Sequence, residues 1–386
     1  MTPIMVRQVD RWVAEMRQLD DKTVSPFEHF STLTLRVVIE CAFGRDSLDD
    51  AKMARLWHDA IESISSVILF NSLLSPAIAQ WLPLPFNFTL RRTMAELSQM
   101  VQQLIDKRRH EVELLHQQQD EQALEASGDA LPNDLLTSLL KARDPATGEG
   151  MPNELLIDES LTFLAAGHDT TSNLLSWCMY FLGRDPNREH VLAMLRAEVV
   201  QVLADDEYTD DVSSSSSGRA VKLRAATHDD IPRLAYCRQV LCETLRLRPP
   251  AGLVDRVASN DCVLAGVAVP KGTYVYPWFQ AAQVDKRYWS NPFEFRPERF
   301  AADAGIDSDA QPTRNAYAFL PFSAGPRNCV GQKFALLEAT VVLAYLVHHF
   351  DIECDPNQVV QMKFVGTATP YGFTCAFKPR FASDTA

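Results

Sequence analysis

The chain lacks most of the features that quickly assign a class. Its eight cysteines (41, 178, 237, 242, 262, 329, 354 and 375) are scattered over 386 residues, with no C-x-x-C pair and no Cys/His cluster at zinc spacing. This argues against a disulfide framework or a structural zinc site, and for a reducing compartment. Positive charge is in deficit: 37 Lys and Arg against 50 Asp and Glu leave a net charge of −13, which argues against nucleic acid as a partner. No internal repeat is evident, no long linker isolates a second core, and no flavin or nicotinamide domain is present. No signal peptide or anchor is in view, because Met1-Thr2-Pro3 runs straight into an amphipathic pattern. Charge is missing altogether from 63–90, a run long enough for a membrane span, but Asn71, Pro76, Gln80, Pro83, Pro85 and Asn87 break it. Two readings stay open there: a buried helix pair with a proline-bent connection, or a peripheral contact with a bilayer.

What remains is the composition of a soluble globular protein, 46% hydrophobic and 23% charged. Its dominant period is helical. Val6, Val9, Trp12, Val13 and Met16 mark a first helix, and 27–43 reads as a second, ending at Gly44. The spacing predicts further helices over about 90–115, 134–140, 153–182 and 232–247. Residues 116–134 and 205–219 are polar and read as flexible surface loops, the second containing five serines in succession. Strand-like residues at 262–269 and 274–278 flank a turn at Pro270-Lys271-Gly272, and 350–377 alternates as a closing hairpin.

One stretch carries chemistry. Phe322-Ser323-Ala324-Gly325-Pro326-Arg327-Asn328-Cys329-Val330-Gly331 sets a cysteine between two glycines, just ahead of a helical pattern through Phe334, Leu337, Val341 and Tyr345. A helix start has unpaired amide N–H groups and a dipole that favours an anion. Gly325 and Gly331 let something flat approach the backbone, and Arg327 can grip a carboxylate by two prongs. The plain alternative is a buried free cysteine in a turn. The pattern Phe-x-x-Gly-x-Arg-x-Cys-x-Gly resembles the haem-binding loop of the cytochrome P-450 family, in which the cysteine is the proximal iron ligand.

Three further segments follow that family's order. Ala166-Gly167-His168-Asp169-Thr170-Thr171 resembles its oxygen-activation motif, although by itself it reads as a soft turn in a core helix with Asp169 facing water. Threonine hydroxyls there can bond back to carbonyls and open the helix. His168 falls at a variable place and takes no role. Glu243-Thr244-Leu245-Arg246 is by itself a commonplace surface pair, but with Phe293–Phe300 downstream it resembles the family's Glu/Arg/Arg network. The resemblance implies a structural triad of Glu243, Arg246 and Arg299 that positions the cysteine loop. Arg256 stands where the family often has a second propionate ligand; the plain alternative is a surface arginine.

The resemblance covers essentially the whole chain, and its implications are specific. The fold is mainly α, a single catalytic domain over 1–386 with a small β region. The cofactor is haem b, held by Cys329, Arg327, Phe322, Gly325, Gly331 and Arg256, with Cys329 on the iron. Asp169 and Thr170 deliver protons. Phe163, Ala166, Leu253, Val254 and Thr367 line the substrate pocket. The activity is monooxygenation of an apolar small molecule with O₂ and electrons from a separate NADPH-dependent reductase, at the cytosolic face of the endoplasmic reticulum membrane in the full-length protein. Two alternatives stay open: a haem-thiolate isomerase or dehydratase acting on peroxides, and an inactive chain. The second arises because the family's Trp-x-x-x-Arg helix is missing: in Trp12-Val13-Ala14-Glu15-Met16-Arg17 the arginine is one place too far. The chain therefore reads as N-terminally truncated, with haem retention and activity in doubt.

Overall fold

The computed structural model describes residues 1–19, 22–44, 52–53, 55–57, 59–60, 63, 85–118, 134–205, 221–301 and 316–381. Most of the expected loops 116–134 and 205–219, and of the uncharged segment 63–90, lie outside the described residues. No helix among the described residues is long and apolar enough to cross a membrane. The described residues form two compact units: one holds residues 3–8 and 28–172, the other 9–27 and 173–386. No linker in the sequence announces the division, whose boundaries fall inside three helices, the first of them α1 (Thr2–Arg17).

The first unit is helical. It contains α2 (Pro26–Phe43), α3 (Pro85–Gln118), α4 (Leu135–Lys141) and the first part of α5 (Asn153–Arg184). Helix α3 runs past both ends of the expected span, so residues 116–118 are helical and not loop. Gly44 stops α2 because it turns with φ +96°, and a Cβ there would sit 2.9 Å from the Arg108 guanidinium. That guanidinium is buried and holds three elements at once. It donates to the Phe43 carbonyl at 2.9 Å and to Asp134 and Thr137 at 2.6 Å each. Asp134 also caps α4, accepting the Thr137 N–H at 2.9 Å.

The second unit is built on α9 (Gln332–His349), buried from Glu338 to His348. It packs on α6 (Arg188–Leu203) and α7 (Ala235–Leu247). Helix α7 starts later than the sequence suggested. Pro232 lies in a separate 3-10 turn, His228–Arg233, which Asp230 closes by accepting from Thr227 and Arg224. Among the described residues the small β region is four two-stranded antiparallel ladders. Strand β1 (Arg256–Val257) pairs with β4 (Tyr274–Val275), and β2 (Cys262–Leu264) with β3 (Val267–Val269). The hairpin turn is therefore Ala265-Gly266, both at positive φ (48° and 83°), as a two-residue loop of matching twist requires. Pro270-Lys271-Gly272 is a turn too, but it joins strands of different ladders. At the C-terminal end β5 (Phe350–Glu353) pairs with β8 (Ala376–Pro379), enclosing the tighter β6 (Gln361–Val365) and β7 (Thr367–Tyr371) hairpin. Trp12 sets its ring edge-on to Phe350 and Phe377, which seats the outer ladder.

Candidate functional site

The cysteine loop closes on its own backbone. The Cys329 N–H donates to the Phe322 carbonyl at 2.9 Å, and the Asn328 N–H to Gly325 at 3.1 Å, with Pro326 at the turn position that prefers proline. Gly325 turns with φ +81°, and Ser323 takes the same left-handed region at φ 62°. Gly331 then starts α9. This geometry leaves Cys329 exposed, against the plain expectation of a buried thiol. Arg327 is exposed beside it, and Val330 is 85% exposed. A Cβ built on Gly325 meets nothing within 4 Å. An open thiol, an open guanidinium and a bare backbone turn are a donor set that suits a flat, carboxylate-bearing macrocycle whose metal takes one thiolate. Phe322, by contrast, is half-buried.

Behind the loop lies a buried charge cluster. Glu243 and Arg246 stand one turn apart on α7 and Arg299 in a 3-10 turn (Pro297–Phe300), with both ion pairs fully buried. Arg246 meets Glu243 through two contacts, at 2.7 and 2.8 Å, and Arg299 reaches the same carboxylate at 3.2 Å. The other N–H groups of Arg246 go to the carbonyls of Gln283, Pro292 and Glu294, at 2.9, 2.7 and 3.2 Å. All five donors of the guanidinium are used. Its Cζ also lies 4.9 Å from the Trp289 ring centroid. A carboxylate removed from water is tolerated only with partners of this kind.

Gln283 links this cluster to the loop, and the sequence reading missed it. It is fully buried at the end of α8 (Phe279–Gln283). Its amide N–H groups donate to the Leu245 and Arg246 carbonyls at 3.0 and 3.1 Å, and its Oε1 accepts the Leu320 N–H at 3.0 Å. Leu320 in turn accepts from Ser323 at the loop entrance. Nothing in a Phe-Gln-Ala-Ala-Gln string signals this, because the bonds are all tertiary.

The Ala165–Thr171 stretch belongs to the first unit. Helix α5 stays continuous through it, so the expected opening does not occur. The hydroxyls do bond back: Thr170 to the Ala166 carbonyl at 2.8 Å and Thr171 to Gly167 at 3.1 Å. Asp169 and Thr170 are both half-buried. His168 has a structural place the sequence did not indicate. Its ring is buried, its Nδ1 lies 2.7 Å from the Leu164 carbonyl, and it packs 5.8 Å from the Trp57 ring. Burial holds its pKa below the usual histidine value. Helix α2 sits hard against this segment: Thr34 donates to the His168 carbonyl at 3.0 Å, and a Cβ on Gly167 would lie 2.9 Å from Val38.

Of the remaining expected site residues, Arg256 is exposed on β1, donating to the Asp255 carbonyl at 2.7 Å. Leu253 is 39% exposed and Val254 half-buried. Thr367 accepts from Asn173 at 3.1 Å, and Ala368 beside it donates to the Pro250 carbonyl at 2.8 Å. The β7 strand and the 250–254 segment are thus tied together within the second unit. Phe163 is half-buried and Ala166 exposed, both on the first unit's part of α5.

A mainly helical chain with an open cysteine at a helix start, backed by a buried Glu–Arg–Arg cluster, has the make-up of a haem-thiolate protein. The cytochrome P450 family model matches residues 1–376, and the chain belongs to that family. It is 32% identical over 365 residues to human "Cytochrome P450 4V2", covering 92% of this chain and 63% of that protein. It is 28% identical over 336 residues to "Cyclooctat-9-en-7-ol 5-monooxygenase" of Streptomyces melanosporofaciens, covering 87% and 63%. A 36% match over 250 residues to the "Bifunctional cytochrome P450/NADPH--P450 reductase" of Gibberella moniliformis covers 64% of this chain and 20% of that protein. The chain thus spans less than two thirds of the length of these relatives.

Proposed function

We propose that the chain is the haem-bearing part of a monooxygenase that inserts one atom of O₂ into an apolar small molecule. Haem b, when bound, supplies the activation of O₂ and the oxidation itself. Cys329 would hold the iron, with Arg327 and Arg256 on the propionates and Phe322, Gly325 and Gly331 against the macrocycle. The observation that carries this reading is the open Cys329 thiol on a loop closed by its own backbone. Asp169 and Thr170 are assigned to proton delivery. The Thr170 hydroxyl proton rests on the Ala166 carbonyl, leaving Oγ1 able to accept a second proton donor. Phe163, Ala166, Leu253, Val254 and Thr367 are assigned to the substrate, a set dominated by apolar groups, as such pockets are. Glu243, Arg246 and Arg299 keep a positioning role behind the loop.

Electrons would come from an NADPH-dependent reductase, a partnership that the fused relative's printed name supports. A place at the endoplasmic reticulum membrane, with contact through 63–90, belongs to the same proposal and rests on the family resemblance. The test is turnover of laurate, as an apolar probe, under ¹⁸O₂ by the haem-loaded chain with NADPH–P450 reductase. Product carrying one ¹⁸O atom is expected. Rearrangement of a lipid hydroperoxide without reductase, and no ¹⁸O uptake from the gas, would replace this reading with a peroxide isomerase.

A further inference from the structure

We propose that Cys354 and Cys375 form a reversible disulfide when the protein meets hydrogen peroxide. The placement follows from the outer ladder. Its register pairs Glu353 with Ala376, so the next step sets Cys354 opposite Cys375. Cys375 spends both its N–H and its carbonyl on Val24, at 3.0 and 2.9 Å. In an antiparallel ladder these two groups of one residue point the same way, so they face away from Cys354. The cysteines therefore oppose each other at a non-hydrogen-bonded position, where Cα atoms lie about 4.5 Å apart and side chains are closest. A disulfide accepts Cα separations of roughly 4.4–6.8 Å.

Side-chain observations agree. Each thiol shifts the other's pKa, as two neighbouring sulfurs do. Room for Cys354 is made by a glycine on α5: a Cβ on Gly183 would come within 2.2 Å of the Cys354 sulfur. Cys354 is half-buried and Cys375 buried, so an oxidant reaches Cys354 first. The neighbouring Cys375 thiol, together with Arg184 and Arg188, draws the Cys354 pKa down, while Cys375 is held up. That is the division of labour between an attacking and a resolving thiol. The Cys354 thiolate attacks one peroxide oxygen, forming a sulfenic acid and releasing water. The Cys375 sulfur then displaces the hydroxyl, giving the S–S bond and a second water. Two thiols and one peroxide become one disulfide and two waters. The bond ties both feet of the segment that carries β6, β7 and Thr367.

The sequence makes the experiment clean. Trypsin cutting after Lys363 separates the two cysteines into peptides with no other cysteine, so only a disulfide can join them. The purified chain is treated with hydrogen peroxide, blocked with N-ethylmaleimide, digested without reductant and read by mass spectrometry. The linked pair is expected, lighter by two hydrogens and separated by dithiothreitol. Cys375→Ser should instead leave a sulfenic acid on Cys354 that dimedone labels, and Gly183→Ala should cut linkage several-fold by displacing the Cys354 thiol. Maleimide on both cysteines after peroxide, or a sulfinic acid on Cys354 in the wild-type chain, would overturn the proposal. So would equal linkage in the Gly183→Ala protein.

Discussion

The Ala165–Thr171 stretch and the Phe322–Gly331 loop are both short and glycine-bearing, and they are held in opposite ways. The first is an ordinary run of α5, kept by helix hydrogen bonds and by threonine hydroxyls that reach back one turn in the same helix. Its outside support comes from α2, by Val38 packing close to Gly167 and the Thr34 hydroxyl donating to the His168 carbonyl. The second has left-handed backbone at Ser323 and Gly325 and little cover of its own. Its support is remote: Gln283, and through it a buried Glu–Arg–Arg cluster. Asp169 and Thr170, assigned above to proton delivery, should therefore be replaceable without loss of the fold. The loop instead depends on a buried charge network reached through Gln283.

The sharpest way to break this contrast is Glu243→Ala against Asp169→Asn. The first leaves Arg246 and Arg299 buried without their carboxylate, a loss of about 3–5 kcal/mol. It should collapse soluble yield and shift urea unfolding markedly. Asp169→Asn should leave unfolding within about 0.5 kcal/mol of wild type. Equal effects would remove the distinction.

Gly167→Ala comes next. The added methyl meets Val38, which should cost roughly 1–3 kcal/mol by overpacking. Val38→Ala in the same chain should recover much of it, measured as a double-mutant cycle in urea. Additive losses would mean that the two helices do not meet there.

Acid titration probes the far end of α9. Burial, with Arg17 and Arg380 nearby, lowers the pKa of both His348 and His349 to about 4. Between the ordinary value near 6.5 and about 4, the unfolded chain binds protons that the folded chain refuses. This contribution is complete above pH 6.5 and is lost as the pH falls toward 4. A double His348→Asn, His349→Asn protein should show a flatter stability profile over that window, read by thermal unfolding. A profile as steep as wild type would contradict the assignment.

The smallest structural effect is expected for Thr170→Ala, below about 1 kcal/mol, because one hydroxyl-to-carbonyl bond is exchanged for a better helix former. Its effect should appear in coupling instead, as more hydrogen peroxide per NADPH consumed with reductase and substrate. Unchanged coupling would take proton delivery away from Thr170.

Local spacing made much of this legible. Phe322 to Gly331 could be read because the turn, the glycines and the helix start all lie within a few residues of Cys329. Glu243 and Arg246 could be paired because one helical turn separates them. Gln283 could not be found, since its partners at Leu245, Arg246 and Leu320 are brought together only by folding. His168 escaped for the same reason: its burial depends on Trp57 and α2. The turn at Pro270-Lys271-Gly272 drew attention from Ala265-Gly266 because Pro-x-Gly is the stronger local signal, while an alanine at positive φ is no signal at all. Pro232 suggested a helix start, but Asp230, Thr227 and Arg224 had already built a separate turn around it.

Cys329 is proposed as the iron's thiolate ligand, on a loop positioned through Gln283. The most direct measurement is the absorption spectrum of the haem-loaded, reduced, CO-bound protein. Wild type should give the red-shifted Soret band of thiolate ligation, and Cys329→Ala should lose it. Gln283→Ala should give a mixture shifted toward the non-thiolate band, and serine at each of the other seven cysteines should leave it unchanged. A thiolate-type band that survives in the Cys329→Ala protein would contradict the account.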